Sequence, residues 1–342
     1  MRLLHLLFLL MLSNLTLAND NIVNVYAWTG EIPESVVRQF EQETGIKVNF
    51  STFENNEVMY AKVRTVKKSG FDVIMPSSYF VDRMQRQGLL LTLDHQLLPN
   101  WQHIAHHFRH PLYDPDEKYS VPLIWGLAGT FYNDRFYTEQ DANSWKKLWN
   151  KKFYNQLLLL DDSREVFSMA LIAEGFPAND KNLAHIKKAY EQLLALLPNV
   201  KVFSTETVVS LMIDEDARIG MSWNGSAYKA AAENPHVKFV FPKEGFVVWV
   251  DNFAIPKNAP HVKAAYAFIN FMLRPDVAKA IVLQTGFPIT NETAKALLPP
   301  DVRNNKVIFP EEAILKKGQF QLDLGEAVLS HYDQYWTNLK MQ

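Results

Sequence analysis

The sequence predicts an α/β protein built as two lobes, and three observations predict it. Strand-like and helix-like stretches alternate as βαβαβ from Ile22 to Met75. A second set of strand-to-helix junctions appears in the middle of the chain. Once an N-terminal export segment is set aside, roughly 320 residues remain, more than one hydrophobic core usually organises.

The chain opens with Arg2, an apolar run from Leu3 to Leu12 and the polar-to-small stretch Ser13-Asn14-Leu15-Thr16-Leu17-Ala18. That is the pattern of a secretory signal peptide over residues 1–18, with cleavage expected after Ala18. The apolar run is about half the ~20 residues a spanning helix needs. No later stretch is long and apolar enough to cross a bilayer, so an exported, soluble chain without direct membrane insertion is expected.

Ile22-Val23-Asn24-Val25-Tyr26 reads as a strand and Pro33 to Thr44 as a helix closed by Gly45. Lys47 to Phe53 is a second strand, Glu57 to Lys68 a helix ending near Gly70, and Phe71 to Met75 a third strand. This order makes a parallel sheet covered by helices. Ligands of such sheets bind beyond the carboxyl ends of the strands. Those ends are Ala27-Trp28-Thr29-Gly30-Glu31 and Pro76-Ser77-Ser78-Tyr79. Further on, the Leu157 to Leu160 strand leads through Asp161-Asp162-Ser163-Arg164-Glu165 into a helix from Val166 to Glu174. Ile219 to Trp223 is a strand that leads through an Asn224-Gly225-Ser226 turn into another helix. Phe246 to Ile255 is extended, and Trp249 and Asp251, two residues apart, share a face of it.

Composition narrows the partners. The chain has no cysteine, hence no disulfide and no lipid-attachment thiol. Without residues 1–18 it carries 34 basic and 37 acidic residues, a balance that argues against nucleic acid or an anionic membrane surface as a partner. No repeat or Pro/Gly/Ser linker marks a simple boundary, so the chain is expected to cross between lobes several times.

An indole beside a carboxylate suits an ammonium ion, since the ring face attracts the cation while the carboxylate accepts its N–H donors. Several such pairs with apolar walls fit a methylene chain charged at each end. Other roles compete. Asp162 and Glu165 have the spacing of a helix capping box, and Trp28, Trp223 and Trp249 are large enough to be core. His103, His106, His107 and His110 include two i,i+4 pairs, but no suitably spaced carboxylate completes a zinc site and a solvated helix accounts for them. Asp214-Glu215-Asp216 reads as a turn, not a calcium loop. No metal or cofactor is expected. The rival class is an exported hydrolase using Asp161, Asp162 and Glu165, since paired acids suffice for glycoside cleavage. No G-x-S-x-G elbow, H-E-x-x-H helix, phosphate loop or cysteine nucleophile supports an enzyme. Composition and spacing alone therefore reach a two-lobed α/β protein with a candidate cation site.

The segments WTGEIP, FEQETGIKVNFSTFENNEVMYAK, DVIMPSSYFVDRM, LLLLDDSREVFSMAL, WNGSAY, WVDNFAIPKNA and INFMLRPDVAKAI closely resemble the spermidine/putrescine-binding proteins of polyamine ABC transporters. The resemblance runs in order from about Asn21 to the C-terminus. It implies the type II periplasmic binding-protein fold, in which two lobes, each a mainly parallel sheet flanked by helices, are joined by hinge strands and close like a clamp. It implies lobes of 19–127 plus about 250–295 and of 128–249 plus about 296–342. It also implies a periplasmic location, a polyamine ligand, and partnership with an inner-membrane permease and its cytoplasmic ATPase, with no catalytic residues. Carried over residue by residue, the site aromatics are Trp28, Tyr79, Trp223, Trp249 and Phe287, and the amine-binding acids are Asp162, Glu165 and Asp251. Thr29, Ser77 and Gln321 match positions of polar contact, and Arg164 is expected to orient the acids. Another organic amine, or a sensor role, is the alternative within binding proteins.

One departure stands out. Relatives read Trp-Thr/Ser-acid-Tyr in the first loop, and this chain reads Trp28-Thr29-Gly30-Glu31. With Asp162, Glu165 and Asp251 expected at one end of the ligand, either Glu31 supplies a replacement carboxylate for the far amine or it points to solvent and a short diamine is favoured. Gly30 permits the backbone angles that would turn Glu31 inward.

Overall fold

The computed structural model describes residues 21–65 and 70–342. The expected signal peptide and the last residues of the expected Glu57–Lys68 helix lie outside the described residues.

The first sheet is parallel throughout. Its centre is β1 (Ile22–Trp28), with β2 (Lys47–Phe53) on one side and β3 (Val73–Ile74) on the other. Val23, Val25 and Ala27 of β1 are fully buried on one face and Tyr26 is buried on the other, as in a sheet covered by helices on both sides. The helix Glu34–Thr44 begins after Pro33, ends at Gly45 and buries Val36, Val37 and Phe40. Phe40 packs edge-on against Phe268 and Phe271 of the helix Val262–Met272. Chain from beyond residue 260 thus completes this lobe. The βαβαβ order is as read from the sequence.

The second sheet is built around β4 (Val121–Asn133), all thirteen residues of which are buried. Its first half pairs antiparallel with β9 (Phe246–Phe253), and from Ala128 it pairs instead with β7 (Ile219–Trp223) and β8 (Val237–Val240). The partner changes between Leu127 and Ala128. On the far side β5 (Leu157–Leu159), β6 (Val200–Phe203) and β7 run parallel, and β10 (Gly318–Phe320) runs parallel to β9. This sheet is mixed where a mainly parallel one was expected. The one reversed member is β4, which runs against β7, β8 and β9, its three partners. Past β10, Ser78 Oγ donates to the Gln321 carbonyl (2.9 Å) and the buried Arg83 pairs with Asp323 (2.8 Å), tying the C-terminal segment to the first lobe.

Three local readings are corrected. The helix expected from Val166 spans Ser163–Glu174, because the Asp162 carboxylate accepts the Glu165 N–H (3.0 Å) and starts the helix earlier. Asn224-Gly225-Ser226 is the first turn of the helix Asn224–Glu233, not a separate turn. His103 lies on one 3-10 turn, Pro99–His103, and His106 and His107 on another, His106–Phe108, with His110 in the bend beyond, where a solvated helix was expected. Between these turns the Ala105 N–H bonds the Thr290 carbonyl (2.8 Å) and holds the chain extended.

Candidate functional site

The strand ends meet in one cleft of about 410 Å³. Trp28, Thr29 and Glu31 enter it from the end of β1, Ser77 and Tyr79 from beyond β3, and Asp162 and Glu165 from beyond β5. Trp223 enters from β7, Trp249 and Asp251 from β9, Phe287 from the turn after the helix Pro275–Thr285, and Gln321 from beyond β10. All twelve residues singled out in the sequence line this one cavity.

Asp251 anchors the first acidic group. It accepts the Ser77 hydroxyl, while the Ser77 N–H bonds Asn56 Oδ1 (3.0 Å) and the Asn56 amide donates to both Ser77 Oγ and Tyr79 OH (3.0 Å each). Gly30 has φ +80, a conformation that other residues rarely adopt, and Glu31 after it turns inward to only 8% exposure. There its carboxyl group stands near enough to that of Asp251 for each to act on the other's ionisation. Glu31 was expected either at the far end of the ligand from Asp162, Glu165 and Asp251 or in solvent, and both placements are corrected. The turn at Gly30 brings Glu31 to Asp251, so the replacement carboxylate strengthens that end of the site. Burial, then the Asp251 charge, raises the Glu31 carboxyl well above the usual carboxylate range. Burial lifts Asp251 to about 7. Thr29 is exposed, and its hydroxyl donates to Glu54 (2.6 Å).

The second acidic group stands at the start of the helix Ser163–Glu174. Burial, then the Asp162 charge, lifts Glu165 to about 8. Arg164 between them turns aside, donating to the Leu322 carbonyl (3.2 Å) and lying over the Tyr79 ring (4.8 Å). Its charge favours ionisation of both acids although it does not line the cleft.

Aromatic rings form the wall. Trp249 meets Trp223 edge-on at 6.3 Å and Phe287 at 5.4 Å. The indole of Trp249 lies flat on Gly126 of β4, where a Cβ would come within 2.2 Å of the ring.

The polar atoms of this cleft are not satisfied within the protein. Eleven buried side-chain polar atoms among the described residues have no hydrogen-bond partner, and six belong to cleft residues: Trp28, Trp223 and Trp249 Nε1, Glu31 and Glu165 Oε2, and Gln321 Nε2. The Trp28 and Trp223 N–H groups stand close enough to Asp251 and Glu165 to favour their ionised forms, yet neither makes a hydrogen bond within the protein. Buried polar groups are rarely left so, and a cluster of them marks a place for a ligand.

Sequence reasoning missed Asn56 and Glu54. They follow the end of β2, and the strand-end rule applied to β1 and β3 would have found them had β2 been read the same way. Among the described residues no cluster of three or more His, Asp or Glu could hold a metal, and no helix is long and apolar enough to cross a membrane.

The sequence profile of the bacterial extracellular solute-binding proteins matches residues 35–310. This chain belongs to that family. The family's work is solute binding for transport, not catalysis. Among its relatives, spermidine/putrescine-binding periplasmic protein 1 of Haemophilus influenzae is 41% identical over 326 residues, covering 95% of this chain and 90% of the relative. The spermidine/putrescine-binding periplasmic protein of Salmonella typhimurium is 40% identical over 324 residues, covering 94% and 93%. The solved structure of a candidate spermidine/putrescine ABC transporter from Listeria monocytogenes superposes with a TM-score of 0.90 at 35% identity, covering 94% of this chain and 99% of that one. The two-lobed architecture described above is therefore the family's fold.

Proposed function

We propose that this protein captures a linear polyamine, putrescine or spermidine, in the periplasm and delivers it to an inner-membrane permease driven by a cytoplasmic ATPase. One observation carries the reading. Two buried groups of carboxyls, Glu31 with Asp251 and Asp162 with Glu165, carry unpaired acceptor oxygens in a cleft walled by indoles. An ammonium supplies the donors those oxygens lack, and each charge-assisted bond offsets the loss of water around the cation. The faces of Trp223, Trp249 and Phe287 cover the methylenes. Relatives named for spermidine and putrescine at about two-fifths identity support the ligand class.

In this reading the first lobe comprises 19–127 with about 250–295 and the second 128–249 with about 296–342, since β4 changes partner at Leu127. The lobes close about β4, β9 and the Gln321–Asp323 segment when a ligand bridges the two acidic groups. Export by a signal peptide over residues 1–18 belongs to the same proposal. The test is a thermal-shift screen. Putrescine, spermidine, spermine and cadaverine are expected to raise the melting temperature, because they bind the folded state alone, while sugars, anions and neutral amino acids are not. No shift with any of the four at millimolar concentration would refute the reading.

A further inference from the structure

We infer that Glu31 and Asp251 act as one acid pair that takes a ligand ammonium in exchange for a proton, so that capture by this protein releases a proton to solvent. The inference rests on the polyamine reading above and adds a chemistry to one end of its site.

The geometry calls for the proton. Glu31 and Asp251 line one cleft, near enough for each to act on the ionisation of the other, and two ionised carboxylates are acceptors only, so a proton between them is what lets them stand together. Both are buried, at 8% and 3% exposure. Two bare carboxylates in contact away from water would repel strongly, and such dyads keep one proton between them. The surroundings offer no substitute for it. The groups that set the ionisation of the pair are Ser77 from beyond β3, Trp28 from β1, and the two acids themselves. Ser77 and Trp28 are neutral donors, and no arginine or lysine is among them. From the facing helix comes Glu165, a further negative charge that feels Asp251. Arg164 is turned toward Leu322 and Tyr79. Lys229, which also lines the cleft, packs its stem on the turn at Gly286 instead.

The exchange balances. In the empty cleft the pair holds one proton and carries one negative charge. An ammonium enters with its own three N–H donors and gives one to each carboxylate, including the unpartnered Glu31 Oε2. The shared proton then has no bond to make and passes to a buffer base in solvent, which leaves the pair doubly ionised around the cation. The amine stays protonated throughout.

Calorimetric titration with putrescine and spermidine at pH 7, in buffers of differing ionisation enthalpy, counts the protons released. Glu165 can release its own, so the difference between variants is read. Wild type is expected to release about one proton more per ligand than Glu31→Gln, and its affinity to rise with pH by up to about tenfold per unit more steeply. Equal proton counts and equal slopes would overturn the inference alone. A wild type that binds no polyamine would overturn the proposed function and this inference with it. Should Glu31→Gln bind too weakly to titrate, carbon NMR of the Asp251 carboxyl in the empty protein decides. Its midpoint is expected to fall in the variant, and an unchanged midpoint shows that no proton was shared.

Discussion

Asp251 shows how one side chain is held in place for the role proposed for it. Its place on β9 gives it a rigid backbone, Ser77 holds one of its oxygens, and Glu31 and the Trp28 indole crowd it without adding a cation. Removing it leaves an ammonium desolvated and unpaired. Asp251→Asn is therefore expected to weaken putrescine binding by about 2–5 kcal/mol, while Trp249→Phe, which keeps an aromatic face, costs at most roughly 1–2 kcal/mol. Titration calorimetry on both variants checks the order, and a larger loss at Trp249 would show that the indole governs recognition. At this scale the sequence was readable where a side chain sat at a strand end or within a segment shared with relatives. It was silent on Glu31 meeting Asp251, because two carboxyls 220 residues apart in the chain give no local signal of contact. Asn56 was equally hidden, since its links to Ser77 and Tyr79 exist only once β2 and β3 flank the same strand.

The helix Ser163–Glu174 carries two tasks in one residue. Asp162 caps its first turn and also faces the cleft, so its place allows both of the roles weighed in the sequence. They can be separated. Asp162→Ser keeps a capping oxygen and is expected to hold stability within about 0.5 kcal/mol while losing affinity, whereas Asp162→Ala loses affinity and about 0.5–2 kcal/mol of stability. Denaturant unfolding beside calorimetry distinguishes them, and wild-type affinity in the serine variant would reduce Asp162 to a cap. Strand β4 makes a similar demand at Gly126. Gly126→Ala places a methyl where the Trp249 ring lies, so the ring must shift, and a loss of about 1–2 kcal/mol of binding is expected, comparable to losing one cation–π platform. An unchanged affinity would mean that the seat of the ring is unimportant. Element boundaries were legible where a cap or a glycine stop announced them, as at Gly45. They were misjudged where tertiary bonds intervened, as between the two histidine turns.

For the molecule as a whole, the cleft acids tie stability to pH. Glu165 at about 8, Asp251 at about 7 and Glu31 all titrate above their unfolded range. Between about pH 4.5 and 8 the folded, empty protein therefore binds more protons than the unfolded chain, and its stability falls as pH rises through that window. A bound polyamine reverses the sign of the local charge problem. The melting temperature of the empty protein is expected to drop from pH 5.5 to 8.5, and the increment given by spermidine to grow over the same range. An increment that shrinks toward pH 8.5 would show that the acids are already ionised without a ligand.

The two-lobed plan was legible from length and strand order, but the third crossing at Gln321–Asp323 was not, because the links of Ser78 and Arg83 to it span more than 230 residues. The pairing of β4 with β9 across more than a hundred residues, and the seating of Phe40 by Phe268 and Phe271, have a consequence for the order of synthesis. Neither lobe is a continuous stretch of polypeptide. A chain emerging from the ribosome N-terminus first cannot finish even its first lobe until the helix Val262–Met272 has been made. Closing loops of that span is slow. Under the proposed export, that slowness keeps the newborn chain threadable until it has reached the compartment where it folds.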